Sequence, residues 1–400
     1  MPSNQRSRYA YKSTRSPYAR PSRPQRGNKP KHGQYIDPAK FVKVANPTTA
    51  EEYTPEHKFA DFAVDARLQA NIAAKGYVNP TPIQDKTIAL GLEGKDVIGL
   101  ANTGTGKTAA FAVPIMHQLM SDRVSKALIV APTRELAQQI EDECRQIGRN
   151  GGFTGALLIG GSSYGPQFKD LRNNPRIVIG TPGRIKDHID QGTLRLEGFN
   201  MVVLDEVDRM LDMGFVNDVK ALLSQLAPKR QSFYFSATMD RRVGDLIATF
   251  SPDAVTISVK QGDTSENVHQ DIIPYTDKHN KIEALHNLLI EPVVSKAIIF
   301  ESTQRNVERL QEDLMSRGFE VEAIHGGKSQ GQRQRALDKF KKNQSKILVA
   351  TDVAARGIDV ADISHVVNYG LPQTYEDYTH RIGRAGRAGK IGYALTFVER

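Results

Sequence analysis

What most limits the fold of this chain is a repeated alternation of short β-branched runs with helical stretches, beginning near residue 58. Asp96–Leu100, Ala127–Val130, Ala156–Ile159, Ile177–Ile179, Met201–Leu204 and Ser232–Phe235 read as buried strands. Helical patterns such as Glu135–Ile147 and Val216–Leu226 lie between them. Continuous apolar runs belong to strands covered on both faces, and alternation with helices predicts a parallel sheet wrapped on both sides. Polarity rises at Lys260–Asn267 (KQGDTSEN), which reads as a linker, and the alternation then restarts. Lys281–Leu289 and Val307–Leu314 read as helices; Ala297–Phe300, Val321–Ile324, Ile347–Ala350 and Ser364–Val367 read as strands. The expected fold class is α/β, with two tandem parallel-sheet domains at 58–259 and 268–400 joined by a hinge at 260–267. The chain has 400 residues and 39% hydrophobic content, enough for two cores and rather long for one.

Residues 1–57 read as an extension without a core. Residues 1–36 hold nine Lys or Arg (Arg6, Arg8, Lys12, Arg15, Arg20, Arg23, Arg26, Lys29, Lys31) and no acidic residue. Of the 54 basic residues, the other 45 match the 45 acidic ones, so the +9 net charge lies entirely in this tail. Pro17, Pro21, Pro24 and Pro30 punctuate it, with Tyr9, Tyr11, Tyr18 and Tyr35 between the charges. Such a composition is expected to be disordered and to contact nucleic acid, through phosphates and base stacking; a solubilising tail is the plainer alternative. The single Cys144 cannot form an internal disulfide, which fits a reducing compartment. No stretch approaches the roughly 20 apolar residues that span a bilayer, and no secretory leader is evident. A cytoplasmic protein is expected.

Ala101, Asn102, Thr103, Gly104, Thr105, Gly106, Lys107 and Thr108 follow a strand and precede a helical run. They match the phosphate-binding loop, with Ala101 in place of its first Gly. Gly104 and Gly106 let the backbone curl so that N–H groups converge on phosphate oxygens, and the helix N-terminus adds partial positive charge. Lys107 is expected to reach the β- and γ-phosphates of ATP, and Thr108 to ligate Mg²⁺. Met201–Leu204 delivers Asp205, Glu206, Val207 and Asp208 at a strand's carboxyl end, where ligand sites of such sheets lie. Asp205 is expected to hold Mg²⁺, and Glu206 to orient and deprotonate the attacking water.

With these residues in place, the chain from about 58 to 400 resembles the DEAD-box family of ATP-dependent RNA helicases. The family's RecA-like fold is what the resemblance implies for both domains. Phe59, Tyr77 and Gln84, the last in Pro80-Thr-Pro-Ile-Gln84, look like its Q motif. There a Gln amide donates to and accepts from the adenine edge, and Tyr77 stacks on the ring. Pro132, Thr133 and Arg134, then Gly160 and Gly161, then Thr181, Gly183 and Arg184 resemble RNA-gripping loops, suited to touch a phosphate backbone. Ser236 and Thr238 resemble the motif that couples hydrolysis to unwinding, with Asp208 and the second domain as partners. In the second domain Thr351 resembles an RNA contact and Asp359 a ribose contact. Gln330, Arg333 and the strand end at Ile298–Ser302 look like further RNA contacts. His380-Arg-Ile-Gly-Arg-Ala-Gly-Arg387 carries Arg384 and Arg387 in the spacing of arginine fingers, while His380 and Arg381 would link that site to the first domain and RNA.

Three positions depart from the family pattern. Val207 stands where the namesake motif has Ala, Ala385 where Thr is usual, and Gly370 where Asp is common. The last two look tolerant. Family members also continue past Phe397, so an unfinished sheet edge is expected near Arg400. The resemblance implies an RNA-stimulated ATPase that separates short duplexes; a monomer is the default expectation. An ATP-dependent RNA clamp with little unwinding and a DNA helicase of the same superfamily are the alternatives.

Overall fold

The structure, a computed structural model, describes residues 36–46, 53–102, 104–259, 264–355, 360, 362–386 and 390–400. Of the residues singled out from sequence, the basic tail through 35, Thr103, Asp359 and Arg387, with positions 260–263 of the hinge, lie outside the described residues.

Seven strands form the first sheet: β1 (Val97–Leu100), β2 (Ala127–Val130), β3 (Gly155–Leu158), β4 (Ile177–Gly180), β5 (Met201–Leu204), β6 (Gln231–Ser236) and β7 (Val255–Ser258). Their order is β3-β4-β2-β5-β6-β1-β7, and every pairing is parallel. Six strands form the second: β8 (Val268–Tyr275), β9 (Ala297–Phe300), β10 (Val321–Ile324), β11 (Ile347–Ala350), β12 (His365–Asn368) and β13 (Gly392–Glu399). Their order is β10-β11-β9-β12-β13-β8, again all parallel.

The apolar runs do what their composition requires. In β2, Ala127 and Ile129 enter the core on one face while Leu128 and Val130 enter the core on the other. In β11, Leu348 and Ala350 face one core and Ile347 and Val349 the opposite one. Each sheet is thus the middle layer of three, with helices on both sides. Strand β7 escapes sequence reading because it is an exposed edge with one buried position, and β8 because it is an edge interrupted by Asp271 and Pro274.

Two expectations need correction. The chain end is not an unfinished edge: β13 is internal, paired with β12 on one side and β8 on the other. Nor is all of 1–57 unpacked. Phe41, in the short turn Pro38–Phe41, is 2% exposed and belongs to the core of the second domain. Lys43 pairs with Gln270 on the outer edge of β8. Tyr53 and His57 bind Asp85 of the first domain. A few apolar residues in a polar stretch are enough to dock it, and composition averaged over 57 residues hides them.

His365 lies inside the second sheet, stacked on Tyr393 at 4.8 Å with Nδ1 2.9 Å from Ser364 Oγ. Burial lowers its pKa from 6.5 to about 4. The folded state therefore holds His365 neutral where the unfolded chain binds a proton, so stability is full above pH 6.5 and is lost as pH falls toward 4. Unfolding free energy of the wild type is expected to drop on the order of 2–3 kcal/mol more than that of His365→Gln over this window. Denaturant melts at pH 7 and pH 4.5 check it; parallel losses in the two proteins would contradict it.

Candidate active site between the two sheets

Because all strands of the first sheet run parallel, their carboxyl ends share one edge, and strand order sorts what they carry. The adjacent strands β5, β6 and β1 end in Asp205–Asp208, Ser236–Thr238 and the phosphate loop. The adjacent strands β3, β4 and β2 end in Gly160–Gly161, Thr181–Arg184 and Pro132–Arg134.

The phosphate loop turns through Gly104 (φ 82°) and Gly106 (φ 85°), and the Lys107–Ser121 helix starts at its end. It is closed on itself. Lys107 Nζ donates to Ala101 O at 3.1 Å, Thr105 Oγ1 to Asn102 O at 2.9 Å, and Thr81 Oγ1 to Thr105 O at 2.8 Å. Gln84 does not present its amide to an open site as expected. Its Oε1 accepts from Thr81 N at 2.9 Å, and its Nε2 donates to Gly106 O at 3.1 Å. The helix start needs an acceptor and the loop carbonyl a donor, and one amide supplies both. A Cβ on Gly106 would collide with Gln84 Nε2, so this approach requires glycine. Phe59 is buried rather than open to a base. Its ring lies 5.3 Å from that of half-buried Tyr77, whose hydroxyl donates to Glu143 at 2.8 Å.

Asp205, Glu206 and Asp208 are all buried. Burial pushes the Asp205 carboxyl up to about 6; Lys107 opposes this, and the charges of Glu206 and Asp208 add to it. Glu206 sits at φ 53°, a left-handed turn, and its buried Oε2 has no hydrogen-bond partner. Arg209 Nε is 3.6 Å from that oxygen. Asp208 Oδ2 accepts from Ala237 N and Thr238 N at 3.0 Å each and from Thr238 Oγ1 at 3.2 Å, while Asp208 N lies 3.4 Å from Ser236 Oγ. Among the described residues, no cluster of three His, Cys, Asp or Glu forms a metal cage by itself. A carboxylate pair short of positive charge suits Mg²⁺, which is usually held by one or two carboxylates plus substrate phosphates. Thr108 lies on the first turn of the adjoining helix.

The pocket over this cluster has walls from both domains. Asn102, Lys107, Glu206, Asp208, Arg209 and Ala237 face Thr379, His380 and Gly383. The last three lie at the end of the Tyr375–Ile382 helix. Arg384 is buried beside them, with Arg209, Asp352 and His380 around a smaller cleft. Arg381 does not reach the first domain as expected. Its guanidinium grips Asp352 through Nε at 2.5 Å and Nη2 at 2.7 Å, reaches Asn368 and the Gly370 carbonyl through Nη1, and lies over Phe300. A planar donor fork buried in one domain is held by acceptors of that domain. A Cβ on Gly370 would lie 2.7 Å from Ser302 Oγ and 2.9 Å from Glu301 Oε2, so a larger residue there requires those side-chain ends to shift. Val207 is fully buried behind the acidic cluster, and Ala385 is buried in the second core.

At the other end of the edge, Arg134 lies on Gly160 and Gly161, where a Cβ on Gly161 would strike its guanidinium. Thr133 Oγ1 caps the Arg134–Ile147 helix. Arg184 Nη1 donates to Ser162 O at 3.0 Å, and its guanidinium lies 4.1 Å from the Tyr164 ring centroid. Burial lowers the pKa of Arg134, as do the positive charges of Arg333 and Arg184, with Glu135 opposing. Arg184 Nε and Arg333 Nε are buried and make no hydrogen bond, although Arg184 Nε lies 3.6 Å from Asp187 Oδ2. Three guanidiniums, two from the first domain and one from the second, thus converge with donors to spare. Thr351 ends β11, its N–H donating to Ile324 O at 3.3 Å. Gln330 and Arg333 meet the first domain directly: Arg333 Nη2 lies 2.8 Å from Glu135 Oε1, and Gln330 Nε2 donates to that oxygen at 3.3 Å. Sequence reading missed Glu135 and Arg209. Glu135 looks like an ordinary first-turn acid, and only the docked domains show its partner.

Comparison with known proteins follows the same division. The DEAD/DEAH box helicase profile matches residues 81–246, and the helicase conserved C-terminal domain profile matches residues 280–389. The ATP-dependent RNA helicase CshA of Listeria monocytogenes is 45% identical over 347 residues, covering 86% of this chain and 66% of that protein. The DEAD-box ATP-dependent RNA helicase CshA of Geobacillus kaustophilus is 45% identical over 343 residues, covering 85% of this chain and 73% of that protein. The chain thus spans about two thirds of the length of these relatives. S. cerevisiae Dbp5 bound to RNA and ADP BeF3 has a TM-score of 0.75 at 30% identity, covering 86% of this chain and 89% of that one. Mss116p bound to ssRNA and AMP-PNP has a TM-score of 0.77 at 31% identity, covering 88% and 76%. Two α/β units with these loops on one edge, matched along most of their length, establish that the chain belongs to the DEAD-box family of ATP-dependent RNA helicases.

Proposed function

We propose that this chain hydrolyses ATP in response to RNA and uses the cycle to separate short RNA duplexes or remodel RNA–protein complexes. The observation that carries this reading is the divided pocket: the phosphate loop and acidic cluster face Thr379, His380 and Gly383 of the second domain. Residues 58–259 act as the ATP-binding half and 268–400 as the completing half, hinged at 260–267.

ATP binding requires Lys107 to exchange the Ala101 carbonyl for phosphate oxygens, and Gln84 to exchange Gly106 for the adenine edge, with Tyr77 beside the base. The loop residues Asn102 through Thr108, Thr103 included, surround the phosphates, and Asp359 contacts the ribose. Asp205 and Thr108 hold Mg²⁺, which when bound neutralises phosphate charge. RNA lies against Pro132, Thr133, Arg134, Gly161, Thr181, Gly183 and Arg184 and reaches Thr351. Its phosphates add negative charge beside Arg134, Arg184 and Arg333, and contacts to the backbone make binding largely independent of sequence. Docking of the second domain on RNA brings Arg384 and Arg387 to the γ-phosphate. Glu206 takes a proton from water as its oxygen attacks the γ-phosphorus and the bond to the bridging oxygen of ADP breaks. Asp208, Ser236 and Thr238 transmit the loss of the γ-phosphate, with His380 at the interface and Arg381 acting through Asp352. The basic tail is an auxiliary RNA contact. The protein is read as a cytoplasmic monomer; Cys144 is free and buried.

Glu206→Gln is expected to hold ATP and RNA together while turnover falls by at least ~10²-fold, the range of a lost general base. ATPase and strand-displacement assays on wild type and variant check this. Normal hydrolysis by Glu206→Gln would refute the assignment of the base. Tight RNA retention by an active wild type with negligible displacement would favour a clamp.

Glu135→Ala leaves Arg333 buried without its carboxylate, a cost of roughly 3–5 kcal/mol for a broken buried pair. That cost falls only on the docked arrangement, so RNA-stimulated ATPase is expected to drop at least tenfold. The melting temperature is expected to change little. An unaltered RNA response would show that the pair does not support docking.

A further inference from the structure

The segment before the first domain is fixed at two places, one in each domain. On the second domain, Phe41 is buried with its ring centroid 4.7 Å from that of Tyr378. Lys43 and Gln270 exchange both backbone hydrogen bonds, at 2.9 and 2.8 Å, and Asn46 N donates to Glu266 O at 2.9 Å. On the first domain the anchor is Asp85, a carboxylate only 1% exposed. Its Oδ2 accepts from Tyr53 OH and Glu56 N at 2.7 Å each, and its Oδ1 lies 2.8 Å from His57 Nδ1. Tyr53, Glu56 and His57 all belong to the segment, so Asp85 depends on it for these bonds.

Each anchor is braced against an element of the nucleotide pocket. Asp85 follows Gln84, whose amide holds Gly106 of the phosphate loop. Two residues beyond His57, Phe59 N donates to Val78 O at 3.0 Å and the Phe59 ring backs Tyr77. Tyr378 precedes Thr379 and His380, which wall the pocket from the other side.

We propose that Asp85 is a positioning residue for the ATP reaction, and that with Phe41 it holds residues 36–57 as a second tether between the domains, beside the 260–267 connection. The inference rests on the ATP-hydrolysis reading for its kinetic consequence but not for its structural one. A chain joined at one hinge explores many domain arrangements; a second attachment removes much of that freedom and raises the effective concentration of one pocket wall at the other. Asp85 also fixes the backbone that carries Phe59, so losing it loosens the support of Tyr77 directly.

The test uses the full chain with donor and acceptor dyes on exposed positions of the two domains. In the ligand-free protein, Phe41→Ala and Asp85→Asn are each expected to shift the interdomain distance distribution to longer values. The double variant is expected to match Phe41→Ala, the larger of the two shifts, because the segment runs covalently into the first domain at residue 58 and loss of the Asp85 contacts only lengthens the tether. Tyr53→Phe, which removes one of the three contacts, is expected to give a smaller shift. In steady-state kinetics, Asp85→Asn is expected to raise KM for ATP roughly tenfold, the scale of lost bonds to a charged group, with kcat at saturating ATP and RNA within about twofold. Phe41→Ala is expected to raise the RNA concentration for half-maximal ATPase while leaving KM for ATP without RNA unchanged. Unchanged distances in Phe41→Ala and Tyr53→Phe would overturn the tether. A fall in kcat for Asp85→Asn with KM unchanged would overturn its positioning role. A wild type without RNA-stimulated ATPase would instead sink the functional reading, and the distance measurement would still decide the tether.

Discussion

Parallel pairing is the constraint on which the rest of this molecule depends. A parallel sheet puts the carboxyl end of every strand on one edge, and the crossover helices leave that edge open. Strand order then decides which loops are neighbours. In the first sheet β5, β6 and β1 bring the acidic cluster, Ser236–Thr238 and the phosphate loop together, while β3, β4 and β2 gather Gly161, Arg184 and Arg134. The two groups share one rigid edge. A second sheet of the same kind faces them with His380 at one group and Arg333 at the other.

Each group is electrostatically incomplete by itself. Asp205, Glu206 and Asp208 are buried with too little positive charge, and Glu206 Oε2 makes no hydrogen bond. Arg134, Arg184 and Arg333 bring their positive charges close together, and Arg184 Nε and Arg333 Nε make no hydrogen bond. Buried groups in this condition are costly, and a ligand of opposite charge relieves the cost. The first deficit fits a metal–nucleotide complex and the second a phosphodiester backbone. Glu135 joins the two domains at the second site through its ion pair with Arg333.

Much of the fold was legible because buried parallel strands write their burial into continuous apolar runs, as in Ile347–Ala350 and Met201–Leu204. Edges were not: Val255–Ser258 has one buried position, and Val268–Tyr275 carries Asp271 and Pro274. The nucleotide loops were legible because phosphate chemistry demands Gly, Lys and acid at fixed spacing. What escaped was pairing across the fold. Nothing local in the sequence says that Arg381 grips Asp352, that Glu135 meets Arg333, or that Phe41 leaves the polar extension to enter a core 337 positions from Tyr378 in sequence order. Those contacts depend on how the chain returns on itself.

The central claim is that the hydrolytic site is divided between the domains and that RNA brings the halves together. ATP turnover by the wild-type chain, measured at saturating ATP while single-stranded RNA is titrated, addresses it most directly. The account predicts a rate that rises with RNA by an order of magnitude or more, as expected when trans-supplied arginines complete a phosphoryl-transfer site. Single-stranded DNA should stimulate it far less. A rate already maximal without RNA would contradict it.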